Sequence, residues 1–274
     1  MLFAGSIPAE LLPTKSIVIC STGRSGSNLL GLTLGTIGYT GKSREFFCPD
    51  VLAANGVGSQ ASDLHPYLAQ VYAQGKTPNQ VFGVKLHWDH MINLLKIVRT
   101  DPDWQARSDI EILSALFPNP RFIFIRRQNL VKQAISMEIG KQTGVYIVPQ
   151  QDADRQSPRG EQKLSFKPLN IYRYKQGLKG RNQKWRSFFQ QNHLPFLEVV
   201  YENLVNDFDN IMQQVIEFSG VELPTTGVKI TKATKKQGSQ LNERWLRYYK
   251  FIPEGPLGYY SEIRSYVRKA LVSS

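Results

Sequence analysis

Two cysteines in 274 residues exclude a disulfide-built scaffold, and Cys20 and Cys48 do not stand at zinc-ligand spacing. They read as buried free thiols, with one disulfide open as the alternative. Histidine is scarce, at four residues, and His65, His90 and His193 lack partners at ligand spacing, so no metal centre is expected. No run of about 18 apolar residues occurs, so no transmembrane helix is indicated. The opening MLFAGSIPAELLPT has no basic start and is interrupted by Pro8, Glu10 and Pro13. That is unlike a secretory leader, and a cytoplasmic location is expected. Repeats and low-complexity tracts are absent, so the expectation is a single domain over 1–274.

Acidic residues are the minority, with 34 Lys and Arg against 22 Asp and Glu and a net charge of +12. Residues 1–120 hold nine of each sign, so the whole excess follows Arg121. Residues 155–186 carry ten basic side chains against Glu161, and 229–250 carry seven against Glu243. Such fields concentrate nucleic acid, an anionic membrane or a polyanionic cofactor. A solvated basic face with no partner accounts for the 155–186 run equally well.

The stretch KSIVICSTGRSGSNLL, Lys15 to Leu30, is an apolar strand that passes through a small polar turn into an apolar helix. Unpaired N–H groups and the helix dipole at such a turn accept phosphate or sulfate, although an ordinary strand-to-helix turn has the same pattern. A Walker A loop needs Lys-Ser/Thr after widely spaced glycines. Gly23-Arg24-Ser25-Gly26-Ser27-Asn28 has no lysine, which disfavours metal-dependent nucleotide hydrolysis. It offers instead the permanent charge of Arg24 and the hydroxyls of Ser25 and Ser27.

Further along, Gly41–Asn55 reads as loop, Ser62–Gln74 as helix, Gln80–Leu86 as strand, and Asp89–Val98 and Ile110–Leu116 as helices. Arg121–Ile125 is the strongest strand and opens onto Arg126, Arg127 and a helix with Leu130, Ala134 and Met137 on one face. Residues 145–167 read as a polar excursion, mobile or partly ordered. A long helix from Pro168 buries Ile171, Tyr174, Leu178, Trp185 and Phe188. Strand Pro195–Tyr201 precedes a helix from Leu204 to Ser219, closed by Gly220. The alternation predicts a three-layer α/β fold on a mainly parallel sheet, with a P-loop-like strand-turn-helix site. Ligands of such folds lie beyond the strands' carboxyl ends, where Arg127 and Ser136 form a second anion corner. Taken alone, those two also fit a surface cation and a helical serine.

Together TGRSGSNLL, Glu45-Phe46-Phe47, Lys85–Trp88 (KLHW), RFIFIRRQNLVKQAISM from Arg121 to Met137, Tyr201–Leu204 (YENL) and KKQGSQLNERWLRYY from Lys235 to Tyr249 resemble the trehalose sulfotransferase family. The resemblance implies 3′-phosphoadenosine 5′-phosphosulfate (PAPS; product PAP) as sulfuryl donor and a carbohydrate or glycolipid hydroxyl as acceptor. By position, Gly23, Arg24, Ser25, Gly26, Ser27 and Asn28 would hold the 5′-phosphosulfate, with Asn28 where Thr or Ser is usual. Arg127 and Ser136 would hold the 3′-phosphate, and Lys235, Lys236 and Gln237 would close over the nucleotide. Glu45 becomes the general base, with Arg24 stabilising the leaving phosphate and no metal required. Phe46, Phe47, His87 and Trp88, with Asp89, are the expected acceptor contacts, Trp88 having core packing as its alternative. The resemblance also implies a homodimer, and the basic fields allow peripheral membrane contact; nucleic acid is not expected. A P-loop kinase and a non-enzymatic polyanion binder are the competing readings.

Overall fold

The computed structural model describes residues 7–144, 164–224, 228, 230–233 and 240–272. Most of the expected excursion and Lys235, Lys236 and Gln237 therefore lie outside the described residues. In chain order the elements are β1 (Lys15–Ser21), α1 (Ser27–Ile37), α2 (Pro49–Ala54), α3 (Ala61–Gly75), β2 (Val81–His87), α4 (Trp88–Val98), α5 (Asp109–Leu116) and β3 (Pro120–Arg126). There follow α6 (Leu130–Thr143), α7 (Pro168–Gln191), β4 (Phe196–Val200), α8 (Tyr201–Asn206), α9 (Phe208–Ser219), α10 (Gln240–Lys250) and α11 (Glu254–Val272). The chain divides into two compact units, Met1–Arg126 with Asn182–Thr234, and Arg127–Arg181 with Lys235–Ser274.

The first unit carries a four-stranded sheet in the order β2-β1-β3-β4, with every pairing parallel. Its central strands are apolar on both faces because both faces are covered by helices. Val18, Cys20, Phe122 and Phe124 point into one core with α3, α4, α5 and the Trp185–Phe189 end of α7. Ile17, Ile19, Ile123 and Ile125 point into the other with α1, α8 and α9. This is the expected three-layer α/β arrangement. Strand order reverses between β1 and β3, which leaves a crevice beyond their carboxyl ends.

Two expectations differ. The stretch Gly41–Asn55 contains α2, begun by Pro49 at its first turn, where a fixed φ suits helix entry. The helix expected from Leu204 to Ser219 is broken at Asp207, whose φ of −131° and ψ of 61° end α8 and start α9.

In the second unit, Ala134 and Ile135 of α6, Ile171 and Leu178 of α7, and Trp245, Leu246 and Tyr249 of α10 form one core. Buried Glu138 accepts hydrogen bonds from Gln142 (2.7 Å) and Asn170 (3.2 Å). Among the described residues, no helix is long and apolar enough to cross a membrane.

Candidate active site

The turn after β1 is shaped by backbone. The N–H of Ser25 donates to the Thr22 carbonyl at 3.3 Å, and Arg24 (φ 63°) and Gly26 (φ 95°) take left-handed conformations. Gly26 caps α1 with no side-chain hydrogen bond, so the N–H groups of the first helical turn remain for an anion. The Ser25 hydroxyl is buried beside them and has no hydrogen-bond partner among the described residues. Trp185 Nε1 donates to the Ser21 carbonyl at 3.0 Å, tying the end of β1 to α7.

Glu45 is brought to this turn by the edge of β2. Arg44 bridges Val84 in parallel, and the Lys85 N–H donates to the Arg44 carbonyl at 2.9 Å. The chain lies that close because two glycines meet there. A β-carbon on Gly41 (φ 72°) would stand 2.1 Å from Gly83 N, and one on Gly83 would stand 2.8 Å from Ser43 N. Lys85, almost wholly buried, then places Nζ 2.7 Å from Glu45 Oε1 and donates to Asn28 Oδ1 as well.

His87 completes the cluster, with Nε2 3.4 Å from Glu45 Oε1 and Nδ1 hydrogen-bonded to Ser21 Oγ at 2.9 Å. Burial would raise the Glu45 pKa, but the hydrogen bond and charge of His87, and then Lys85, outweigh it and hold the carboxyl far below the usual range. His90, whose ring lies 4.9 Å from that of His87, is pushed down to about 4 by burial and then by His87. It is neutral at physiological pH.

The structure thus brings Ser25, Gly26, Asn28 and Glu45 around one corner with Lys85 and His87. Lys85 is a site residue beyond those expected from the sequence, and its signal is a lone cation inside the apolar strand VFGVKLH. Phe46 and Phe47, expected at the acceptor, are core residues. Phe46 stacks on Phe82 at 5.9 Å, and Phe47 is fully buried against Phe117 and Tyr67; neither offers a ring face to a ligand. Trp88 is half-buried and packs edge-on to Trp185 at 5.1 Å, and Asp89 is exposed on α4. Arg126 is held by Glu198 at 2.6 Å. Arg127 and Ser136 belong to the second unit, Ser136 buried on α6. Cys20 and Cys48 are both free thiols, and burial pushes the Cys20 thiol well up.

A family profile described as Stf0 sulphotransferase matches residues 16–251. The chain is 26% identical over 266 residues to trehalose 2-sulfotransferase of Mycolicibacterium smegmatis, spanning 87% of this chain and 95% of that protein. It is 22% identical over 263 residues to trehalose 2-sulfotransferase of Mycobacterium tuberculosis, spanning 86% and 94%. Among solved structures, mouse sulfotransferase SULT7A1 complexed with PAP aligns with a TM-score of 0.43 and 13% identity, over 95% of this chain and 88% of that one.

Proposed function

This chain belongs to the Stf0 sulphotransferase family and is a sulfotransferase, and we propose that it moves a sulfuryl group from PAPS to a hydroxyl of a carbohydrate or glycolipid. The observation that carries the proposal is the position of Lys85. One ammonium meets Asn28 in the first turn of α1 and Glu45 on the facing loop, so an oxyanion corner and a carboxylate base share a cation.

The turn's own chemistry fits a phosphosulfate. It offers helix N–H groups with no side-chain cap, a Ser25 hydroxyl without a hydrogen-bond partner among the described residues, and the cation of Arg24. When bound, PAPS supplies the activated sulfuryl group. Arg24, Lys85 and the α1 N–H groups would stabilise charge developing on the departing phosphate. Glu45 would accept the acceptor hydroxyl's proton as its oxygen attacks, and His87 would hold that carboxylate in place. In the resting site Lys85 and His87 make Glu45 a weak base. An anion in the turn that draws Lys85 toward itself restores basicity where it is needed.

By position in the family, Arg127 and Ser136 are proposed for the 3′-phosphate, and Lys235, Lys236 and Gln237 for closure over the nucleotide. A sugar acceptor is supported by the two related trehalose 2-sulfotransferases. Calorimetry with adenosine 3′,5′-bisphosphate, with ATP–Mg²⁺ as control, tests the donor. The bisphosphate should bind and the control should not, and the reverse preference would return the P-loop kinase reading to the front.

A further inference from the structure

The proposed base and two side chains beside it form a mixed set of metal donors, a carboxylate, a thiol and an imidazole. The Cys48 N–H donates to the Glu45 carbonyl at 3.1 Å, a tight turn that sets the Cys48 thiol on the same side as the Glu45 carboxylate. His90, in the first turn of α4, faces them from across the site. Ligand atoms of Glu45, Cys48 and His90 all lie within 4.8 Å of one another, each residue partly buried. His90 Nδ1 is buried and has no hydrogen-bond partner among the described residues, and the Cys48 thiol is unoxidised.

We propose that Glu45, Cys48 and His90 form an inhibitory Zn²⁺ site that captures the catalytic carboxylate. Zinc with bonds of about 2.0–2.3 Å holds tetrahedral ligands about 3.5 Å apart, so the set closes by roughly 1 Å through side-chain rotation. One thiolate, one imidazole and one carboxylate select zinc over Mg²⁺ or Ca²⁺, which take oxygen donors. Cys48 releases its thiol proton to solvent on binding, and its charge with that of Glu45 balances the ion. The fourth position is left to water.

A cleft opens beside residues that neighbour two of these ligands in the chain. Its ≈ 470 Å³ are lined by Pro49, the residue after Cys48, and by Asn93, one helical turn beyond His90, together with Leu52, Lys96 and Ile97. The metal has to compete with Lys85 and His87 for Glu45, since both contact its Oε1. That competition lowers the metal's affinity, and bound acceptor and zinc exclude each other. The inhibitory role rests on Glu45 being the base; the site itself does not.

The test uses metal-stripped full-length protein titrated with Co²⁺ and then Zn²⁺. One Co²⁺ per chain should give thiolate-to-metal charge-transfer absorption that zinc displaces. Cys48→Ser should abolish the band and His90→Gln should weaken binding at least about tenfold, with circular dichroism showing that both variants remain folded. Absence of the charge-transfer band, or a band unchanged in Cys48→Ser, overturns the site whether or not the chain transfers sulfate. In transfer assays zinc should inhibit the wild type, while Cys48→Ser keeps turnover and escapes inhibition. Bisphosphate affinity should not move. Stoichiometric zinc without inhibition overturns the blocking role.

Discussion

A β-carbon built on Gly26 would stand 2.2 Å from Cδ2 of the Tyr201 ring. Tyr201 opens the helix that follows β4, so the last strand's exit fixes how closely the anion-binding turn can pack. Gly26→Ala meets both this clash and a φ of 95°. It should cost roughly 1–3 kcal/mol of stability and lower bisphosphate affinity in calorimetry. A variant with native melting temperature and native affinity would show that the turn has room to spare.

Glu45→Gln keeps an acceptor oxygen for Lys85 but removes the group that takes the proton. Nucleotide binding should persist while kcat falls by at least about a hundredfold, the usual scale for losing a general base. Unchanged turnover in a single-turnover assay would take Glu45 out of the chemistry.

Lys85→Met preserves the buried stem and deletes the charge. Burial then has less opposition at Glu45, whose pKa should rise. Since the carboxylate must be ionised to act, the acid limb of kcat/KM should move to higher pH. In the wild type that limb lies below the ordinary glutamate value of about 4.3. Superimposable profiles for the two proteins would contradict the coupling.

Glu198 takes Arg126 on Oε1 (2.6 Å) and Arg186 on both oxygens (2.9 and 3.0 Å). Burial opposes ionisation, but the Arg186 and then the Arg126 hydrogen bonds prevail and lower its pKa. The stabilisation is present above the unfolded carboxylate's pKa of about 4.3 and is lost as pH falls through the lower folded value. Glu198→Gln should cost about 1 kcal/mol at neutral pH, because the group is partly exposed. Urea unfolding of both proteins should show that difference shrinking in acid; a gap independent of pH would contradict the ion pair.

Arg127→Ala should weaken adenosine 3′,5′-bisphosphate about tenfold or more, the scale of one charge-assisted hydrogen bond. Adenosine 5′-phosphate should lose much less. Equal losses, measured side by side by calorimetry, would move the 3′-phosphate away from Arg127.

Elements with strong local periodicity were legible in the chain, from the β1-turn-α1 unit to β3 and α7. What escaped was either too short or interrupted to show a period, or depended on contacts distant in sequence. Six-residue α2 is too short to show a period, and the break at Asp207 interrupts a pattern whose apolar residues continue into α9. Phe46 and Phe47 sit beside the proposed base, yet their burial depends on Phe82, Tyr67 and Phe117. Lys85 reads as a blemish in an apolar strand until its partner Asn28, 57 residues earlier, is brought to it. A Glu-Cys-His set divided between a turn and α4 has no one-dimensional signature. The α10 contacts with α6 were equally invisible, because most of that helix's sequence is polar.

The strand order β2-β1-β3-β4 also governs how the protein is made. Strand β1 is synthesised before both of its neighbours, which begin at Val81 and Pro120, and β4 pairs with β3 only after α7 has been synthesised. During translation an apolar, six-sevenths buried strand therefore waits with both edges open. The sheet has high contact order, so folding is set by slow closure of long loops rather than by local propensity. Until β3 arrives, β1 keeps an open edge, and an unpaired apolar strand edge is open to mispairing.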